Sequence, residues 1–266
     1  MLMGSFWGIW GADKTGSWVW GVLIAMASGG LLALVLAFFA IHLRADQIVV
    51  GVALNFLALG ITGYFFVQIY HGQNVPTGIS QIPDVHLAKD SSHSFFADAF
   101  GSLNLMIWLG ILFVFLTYIV LFKTAIGLRI RACGEHPRAA ETAGINVYFV
   151  RYVNVIASGA LAGLGGAYFS LQQIGNFLPN MTGGRGYIAL AAMIFGKWTP
   201  LGAFAASLLF SGSDQIGSRM QSVFHVGVPL QFLGMLPYVL TIIVVAGAMG
   251  RAIAPAAVGR PYKKGA

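Results

Sequence analysis

Few side chains in this sequence have the type and spacing that chemistry requires. Gly196-Lys197 hints at a phosphate-binding loop, but it lacks the glycine spacing and the Ser or Thr that must follow the lysine. His136 beside Glu135 has the composition of a metal or proton-relay pair, yet adjacent residues on a helix point to different faces. Cys133 is the single cysteine, so an internal disulfide and a thiolate cluster are both excluded. With no nucleophile–base set in view, the expectation is a protein with no catalytic residues, no metal and no cofactor. Two groups remain. One is Gly134-Glu135-His136-Pro137-Arg138-Ala139-Ala140-Glu141-Thr142-Ala143-Gly144, a polar helix between long uncharged segments. The other is Asn55, Phe56, Asn154 and Ser158, polar or aromatic residues within apolar stretches. They could line a path for a polar solute, which needs donors, acceptors and apolar walls. An intramembrane Asn or Ser also serves simply to bond a neighbouring helix, and residue type leaves both readings open.

The elements that must position these groups belong in a bilayer. The chain of 266 residues is 58% hydrophobic and 9% charged, whereas a soluble domain carries about a quarter charged residues. Its net charge of +7 comes from basic residues clustered beside apolar spans, the pattern of membrane topology rather than of a nucleic-acid face. The expected fold is all-α: one polytopic transmembrane bundle over residues 1–266, with about seven to eight membrane segments.

Met1 to Trp10 has no basic leader and is too short to cross a hydrocarbon core of about 30 Å, so it reads as the tail of an incomplete helix. Ser17–His42 is the first full span, and its Gly21, Ala25, Gly29, Ala33 and Ala37 form a stripe of small side chains suited to close helix packing. Ile48–Ile69 and Leu103–Phe122 follow, separated by the polar stretch Tyr70–Ser102. Lys123–Arg151 is a basic loop, and Tyr152–Leu171 spans next with Ser158, Gly159, Gly163, Gly165, Gly166 and Ala167 as a second packing face. Tyr187–Phe195 and Leu201–Gly212 are each short for a crossing and are divided by Gly196-Lys197-Trp198-Thr199-Pro200. They are either a broken segment beside a permeation path or two short tilted helices. Val228–Met249 is the last span, and Arg251–Ala266 is a basic tail.

Alternation of these spans fixes an orientation. Arg44, Lys123, Arg129, Arg131, Arg138, Arg151, Arg251, Arg260, Lys263 and Lys264 fall on one side, against Lys14, Lys89, Arg185 and Arg219 on the other. The first side is therefore cytoplasmic, with the C-terminus on it. Within the cytoplasmic loop, Pro137 suits a first helical position and Gly144 a left-handed C-terminal one. Between them Arg138 and Glu141 stand three apart, and Ala139, Ala140 and Ala143 offer a small-residue face. So short a helix must pack against something, either a soluble partner or the membrane surface.

GLRIRACGEHPRAAETAGINV followed by SGALAGLGGAYFS resembles the cytoplasmic loop and next helix of bacterial ABC-importer permeases, in the branch of ribose, nucleoside and branched-chain amino acid permeases. GRGYIALAAMIFGKWTPLGA, LRADQIVVGVALNFLALG and LPYVLTIIVVAG are most similar to the nucleoside and simple-sugar subgroup. The resemblance implies a multi-pass permease of the bacterial cytoplasmic membrane. Its partners would be cytoplasmic ABC ATPase subunits, a second and paralogous permease, and an extracytoplasmic substrate-binding lipoprotein. It further implies that Gly134 to Gly144, within the coupling loop 123–151, docks on the ATPase, and that family members carry a helix before the block matched here by MLMGSF. The rivals are a self-contained secondary transporter or channel, an intramembrane enzyme, and an ABC permease for branched-chain amino acids. The inner spans lack the ionisable groups that ion coupling uses, and Asp214 alone near a helix end is thin support.

Overall fold

The computed structural model describes residues 1–73, 75, 78–83, 104–224 and 253–263. Val228–Met249, Arg251, Lys264 and the polar stretch from Asp84 onward lie outside the described residues. Described residues form helices in the order α1 (Leu2–Thr15), α2 (Trp18–Ala37), α3 (Gln47–Tyr70), α4 (Leu105–Lys123), α5 (Ala125–Glu135), α6 (Pro137–Thr142), α7 (Val147–Tyr168), α8 (Arg185–Phe195) and α9 (Pro200–Phe224). Two continue without a break into π-helical turns, α2 into Phe38–His42 and α7 into Phe169–Ile174. Among the described residues four helices are long and apolar enough to cross a membrane: Trp18–His42, Gln47–Tyr70, Leu105–Lys123 and Val147–Ile174. Each matches a span expected from the sequence to within a few residues.

The chain divides into two compact units. The first comprises Met1–Leu112, Ala125–Gly183 and Ala257–Ala266, and its heart is the packing of α1, α2 and α7 on one another. Glycines make this contact. Gly21, Ala25, Gly29, Ala33 and Ala37 are all buried, as their fourfold spacing predicts. A Cβ on Gly29 would collide with the Gly159 carbonyl, and one on Gly163 with the Ala25 carbonyl. The first helix joins in the same way, Gly4 against Gly163 and Gly8 against Ala25 and Ala167. Backbones in such contact gain dispersion and weak C–H···O attraction that a side chain would displace. Ser5, fully buried, adds a hydrogen bond from its hydroxyl to the Gly166 carbonyl at 2.9 Å.

At one end of this packing an aromatic cluster closes the unit. Phe6 meets Trp7, Tyr70 and Phe177 edge-on at centroid distances of 5.3, 6.5 and 5.1 Å. Asn176 accepts from the Val75 N–H at 3.1 Å, which pins the start of the polar stretch to the segment after α7. The outward faces of α3 and α4 stay apolar, with Phe56, Tyr64 and Val67 on one and Leu112, Phe115 and Ile119 on the other, all exposed. That arrangement suits lipid and would be costly in water.

The second unit contains Phe113–Thr124 and Gly184–Ala256. Its α8, at 11 residues, spans about 16 Å and cannot cross alone. Its α9 runs on to Phe224, so the apolar piece expected at Leu201–Gly212 is only the front of a longer helix. Ser213 does not break it, since its hydroxyl donates to the Leu209 carbonyl one turn back at 2.9 Å and leaves the helix intact.

Candidate functional site

The segment expected to be a basic loop at 123–151 is largely helical. Its first part, α5, ends at Glu135, and the chain breaks at His136 with φ −134° and ψ 79°. The cause is Pro137, whose ring disfavours helical geometry in the residue before it while its own missing N–H costs nothing at N1. Gly134 and Glu135 therefore close one helix, and α6 proper is six residues long rather than extending over Gly134–Gly144. The far boundary falls where the sequence placed it. Gly144 adopts φ +79°, its N–H reaches the Glu141 carbonyl at 2.9 Å, and the Ile145 N–H reaches Ala140 at 3.0 Å. This pair of bonds is a Schellman closure and leaves the last carbonyls satisfied. Asn146 then caps α7, its side chain accepting from the Phe149 N–H at 3.1 Å.

A small core lies beneath this elbow. Cys133, Ala140, Val147 and Tyr262 are buried together, flanked by Ala132, Ile145, Tyr148 and Val150. Burial pushes the Cys133 thiol up, partly offset by the charge of Arg151. The thiol thus stays protonated and unreactive at neutral pH. Glu135, His136, Arg138, Ala139, Thr142, Ala143 and Gly144 are exposed, and Pro137 and Glu141 are half-buried. The presented surface is thus one acid, one imidazole, one guanidinium and a patch of small residues. Ala140, expected to share the small outward face with Ala139 and Ala143, instead points inward at 3% exposure.

Sequence reasoning missed the tail. Arg251–Ala266 read as a basic appendage, yet residues 257–263 lie against all three helices of the elbow. The Ala257 N–H donates to the Gly134 carbonyl at 3.0 Å, an otherwise orphaned group at the end of α5. The Tyr262 hydroxyl donates to Glu141 Oε2, so Glu141 is held by the tail as well as standing three residues from Arg138. Tyr148 donates to the Tyr262 carbonyl at 3.3 Å, and Arg151 to the Arg260 carbonyl at 3.2 Å. Burial, then the hydrogen bond to Glu141, pushes the Tyr262 phenol up to about 12. A tyrosine between a proline and a lysine carries no local pattern, so no signal pointed to it.

The four residues expected along a solute path are placed on two helices. Asn55 and Phe56 sit on the outward side of α3, Phe56 at 70% exposure. On α7, Asn154 donates to the Val150 carbonyl at 2.7 Å and Ser158 to Val155 at 2.8 Å, both within their own helix. Because α3 packs chiefly on α1 and α2, the structure does not gather the four into one pocket. Among the described residues no group of three or more His, Cys, Asp or Glu could hold a metal ion.

Comparison with known proteins adds to this geometry. A family model described as branched-chain amino acid transport system / permease component matches residues 1–245. The chain is 42% identical over 253 residues to the guanosine ABC transporter permease protein NupQ of Bacillus subtilis (strain 168), covering 92% of this chain and 77% of that protein. It is 40% identical to the nucleoside ABC transporter permease protein NupC of Lactococcus lactis subsp. cremoris (strain MG1363), over 91% of this chain and 77% of the other. A putative glucose ABC transporter permease protein, TsgC13 of Haloferax volcanii, is 34% identical over 84% of this chain and 68% of its own length. No solved structure matches.

Proposed function

The chain belongs to the permease-component family of branched-chain amino acid transport systems, and from that premise we propose that it carries nucleosides into the cell. It is a multi-pass membrane protein and the permease subunit of an ATP-driven importer, with ATP hydrolysis performed by a separate subunit. The substrate class rests on the two relatives whose names specify guanosine and nucleosides.

The mechanism is alternating access driven from outside the chain. ATP binding closes the partner ATPases, the α6 elbow moves with them, and the helices rock about a central path. Only a difference in partner affinity between the two states can shift that equilibrium. One observation carries the reading: a six-residue helix, too short to persist alone, is braced from below by Ala140, Val147 and Tyr262 while Glu135, His136, Arg138 and Ala139 face out. Gly134, Glu135, His136, Pro137, Arg138, Ala139 and Glu141 to Gly144 form the docking elbow, with Ala140 as its inner support.

In this reading the membrane is the bacterial cytoplasmic membrane, and the bundle has seven to eight segments. The elbow and the tail share the cytoplasmic side, a placement supported by the bonds between them. The further partners are a paralogous permease and an extracytoplasmic substrate-binding lipoprotein. Asn55, Phe56, Asn154 and Ser158 are retained as path residues to be tested singly. The experiment is uptake of radiolabelled guanosine by vesicles holding the assembled transporter, in competition with pentoses, glucose and branched-chain amino acids. ATP-dependent uptake that only nucleosides compete away supports the assignment, and competition by a branched-chain amino acid or a sugar reassigns the substrate. Uptake driven by a proton gradient with the chain alone would overturn the mechanism.

A further inference from the structure

We propose that Tyr262 is a positioning residue for the docking elbow, the side chain through which the tail ties α6 to the first turn of α7 so that both move as one body. This rests on the coupling reading above and goes beyond it, because it assigns to the chain's own tail the task of setting how the elbow is presented.

Tyr262 is buried between exposed Pro261 and Lys263, so a single side chain of this strand of tail is inserted. Its hydroxyl binds Glu141 on α6. Its ring meets Tyr148 on α7 at 5.2 Å and 60°, and the Arg151 guanidinium stands 5.7 Å from its centroid. Its carbonyl accepts from Tyr148, and the preceding Arg260 carbonyl accepts from Arg151. One residue thus touches the elbow with one end and the transmembrane helix with the other. The covalent route between α6 and α7 passes through Ala143 to Asn146, where Gly144 is left-handed with open space at its would-be Cβ and Ile145 packs beside the small core. A push on α6 passes through that link, and a side chain bonded to both helices shares the load. Tyr262 is that side chain, and by holding Glu141 half-buried it leaves Glu135, His136, Arg138, Ala139, Thr142 and Ala143 as the surface that meets a partner.

The test uses the assembled transporter in vesicles, with guanosine moved per ATP hydrolysed as the readout. Tyr262→Phe keeps the ring and removes the bond to Glu141; Tyr262→Ala removes both. The expected result for Tyr262→Phe is a fall in that ratio of about fivefold or more, with co-purification of the ATPase unchanged and the melting temperature in detergent lowered by no more than the few degrees that one hydrogen bond is worth. Tyr262→Ala should fall further, and if it fails to assemble the Phe variant decides alone. A wild-type ratio in Tyr262→Phe overturns the proposal. So does a ratio that falls only in step with melting temperature, which would make the residue a brace for folding. Ala139→Cys in an otherwise unchanged chain separates the two levels: a disulfide to an ATPase cysteine supports docking whatever Tyr262 does. Failure to cross-link at any engineered ATPase position removes the coupling reading and this proposal with it.

Discussion

Gly163 and Gly144 are the same residue used in opposite ways, and so are the two regions that contain them. Gly163 lies in the seam of α1, α2 and α7, where a Cβ would strike the backbones of Ala25 and Met26. Gly144 ends the elbow helix with nothing within 4 Å of a would-be Cβ, and what it supplies is a positive φ. The seam is held by the absence of side chains over a long, flat contact. The elbow is held by a few side chains and backbone bonds, with one of those side chains, Tyr262, and its backbone neighbours coming from a distant stretch of the chain. Redundancy follows from the first arrangement, whereas in the second each bond matters separately.

That contrast can be broken or sharpened experimentally. The largest effect is expected from Gly163→Val, which forces two backbones apart and should cost more than about 3 kcal/mol. Loss of the monodisperse peak in detergent gel filtration would register it, and a normally folded variant would show that the seam is looser than its geometry. Next comes Ala140→Leu, which overfills the core under the elbow and should cost about 1–3 kcal/mol in thermal unfolding. Its exposed neighbour Ala139→Leu should stay within about 0.5 kcal/mol, and equal effects at the two positions would erase the inside–outside distinction drawn for α6. Gly144→Ala should cost about 1 kcal/mol, all of it backbone strain, with Gly144→Asn milder.

The smallest effect is set by pH. The Tyr262 phenol is raised from 10.0 to about 12, so the folded state holds its proton after a detached tail would have lost it. Its contribution to stability is therefore complete below about pH 10. It is lost as pH rises toward the folded value near 12. The phenolate absorbance of the parent minus that of Tyr262→Phe should isolate a tyrosine that titrates late; a difference that titrates near the ordinary value of about 10 would mean that the tail does not hold the ring.

Much of this molecule was legible beforehand because its regularities are local. The stripe Gly21, Ala25, Gly29, Ala33, Ala37 announced a packing face, and each of those residues is buried. Gly4, Gly8 and Ala12 carry the same spacing in α1 and are buried, but ten apolar residues were too short to be read as a participant in the seam. Pro137 and Gly144 marked two boundaries correctly, while the break one residue earlier at His136 follows from proline's effect on its predecessor. The turning-in of Ala140 was not legible, since three alanines in one short helix look alike until something packs on one of them. The Tyr262–Glu141 contact joins residues 121 apart, and no periodicity records a meeting at that distance.

The corner between α8 and α9 has a consequence for where that hairpin can reside. The N–H groups of Gly196, Lys197, Trp198 and Thr199 all find carbonyl acceptors within the corner and the end of α8. Thr199 accepts from the Gly202 N–H at 3.2 Å and donates to the Gly196 carbonyl at 2.8 Å. Lys197 and Trp198 tolerate left-handed geometry, at φ +55° and +58°, to close this circuit. N–H groups quenched in this way ask nothing of water, so the donors of the bend add little to the cost of setting it within hydrocarbon. The Lys197 ammonium, at the tip, would still have to reach an aqueous boundary.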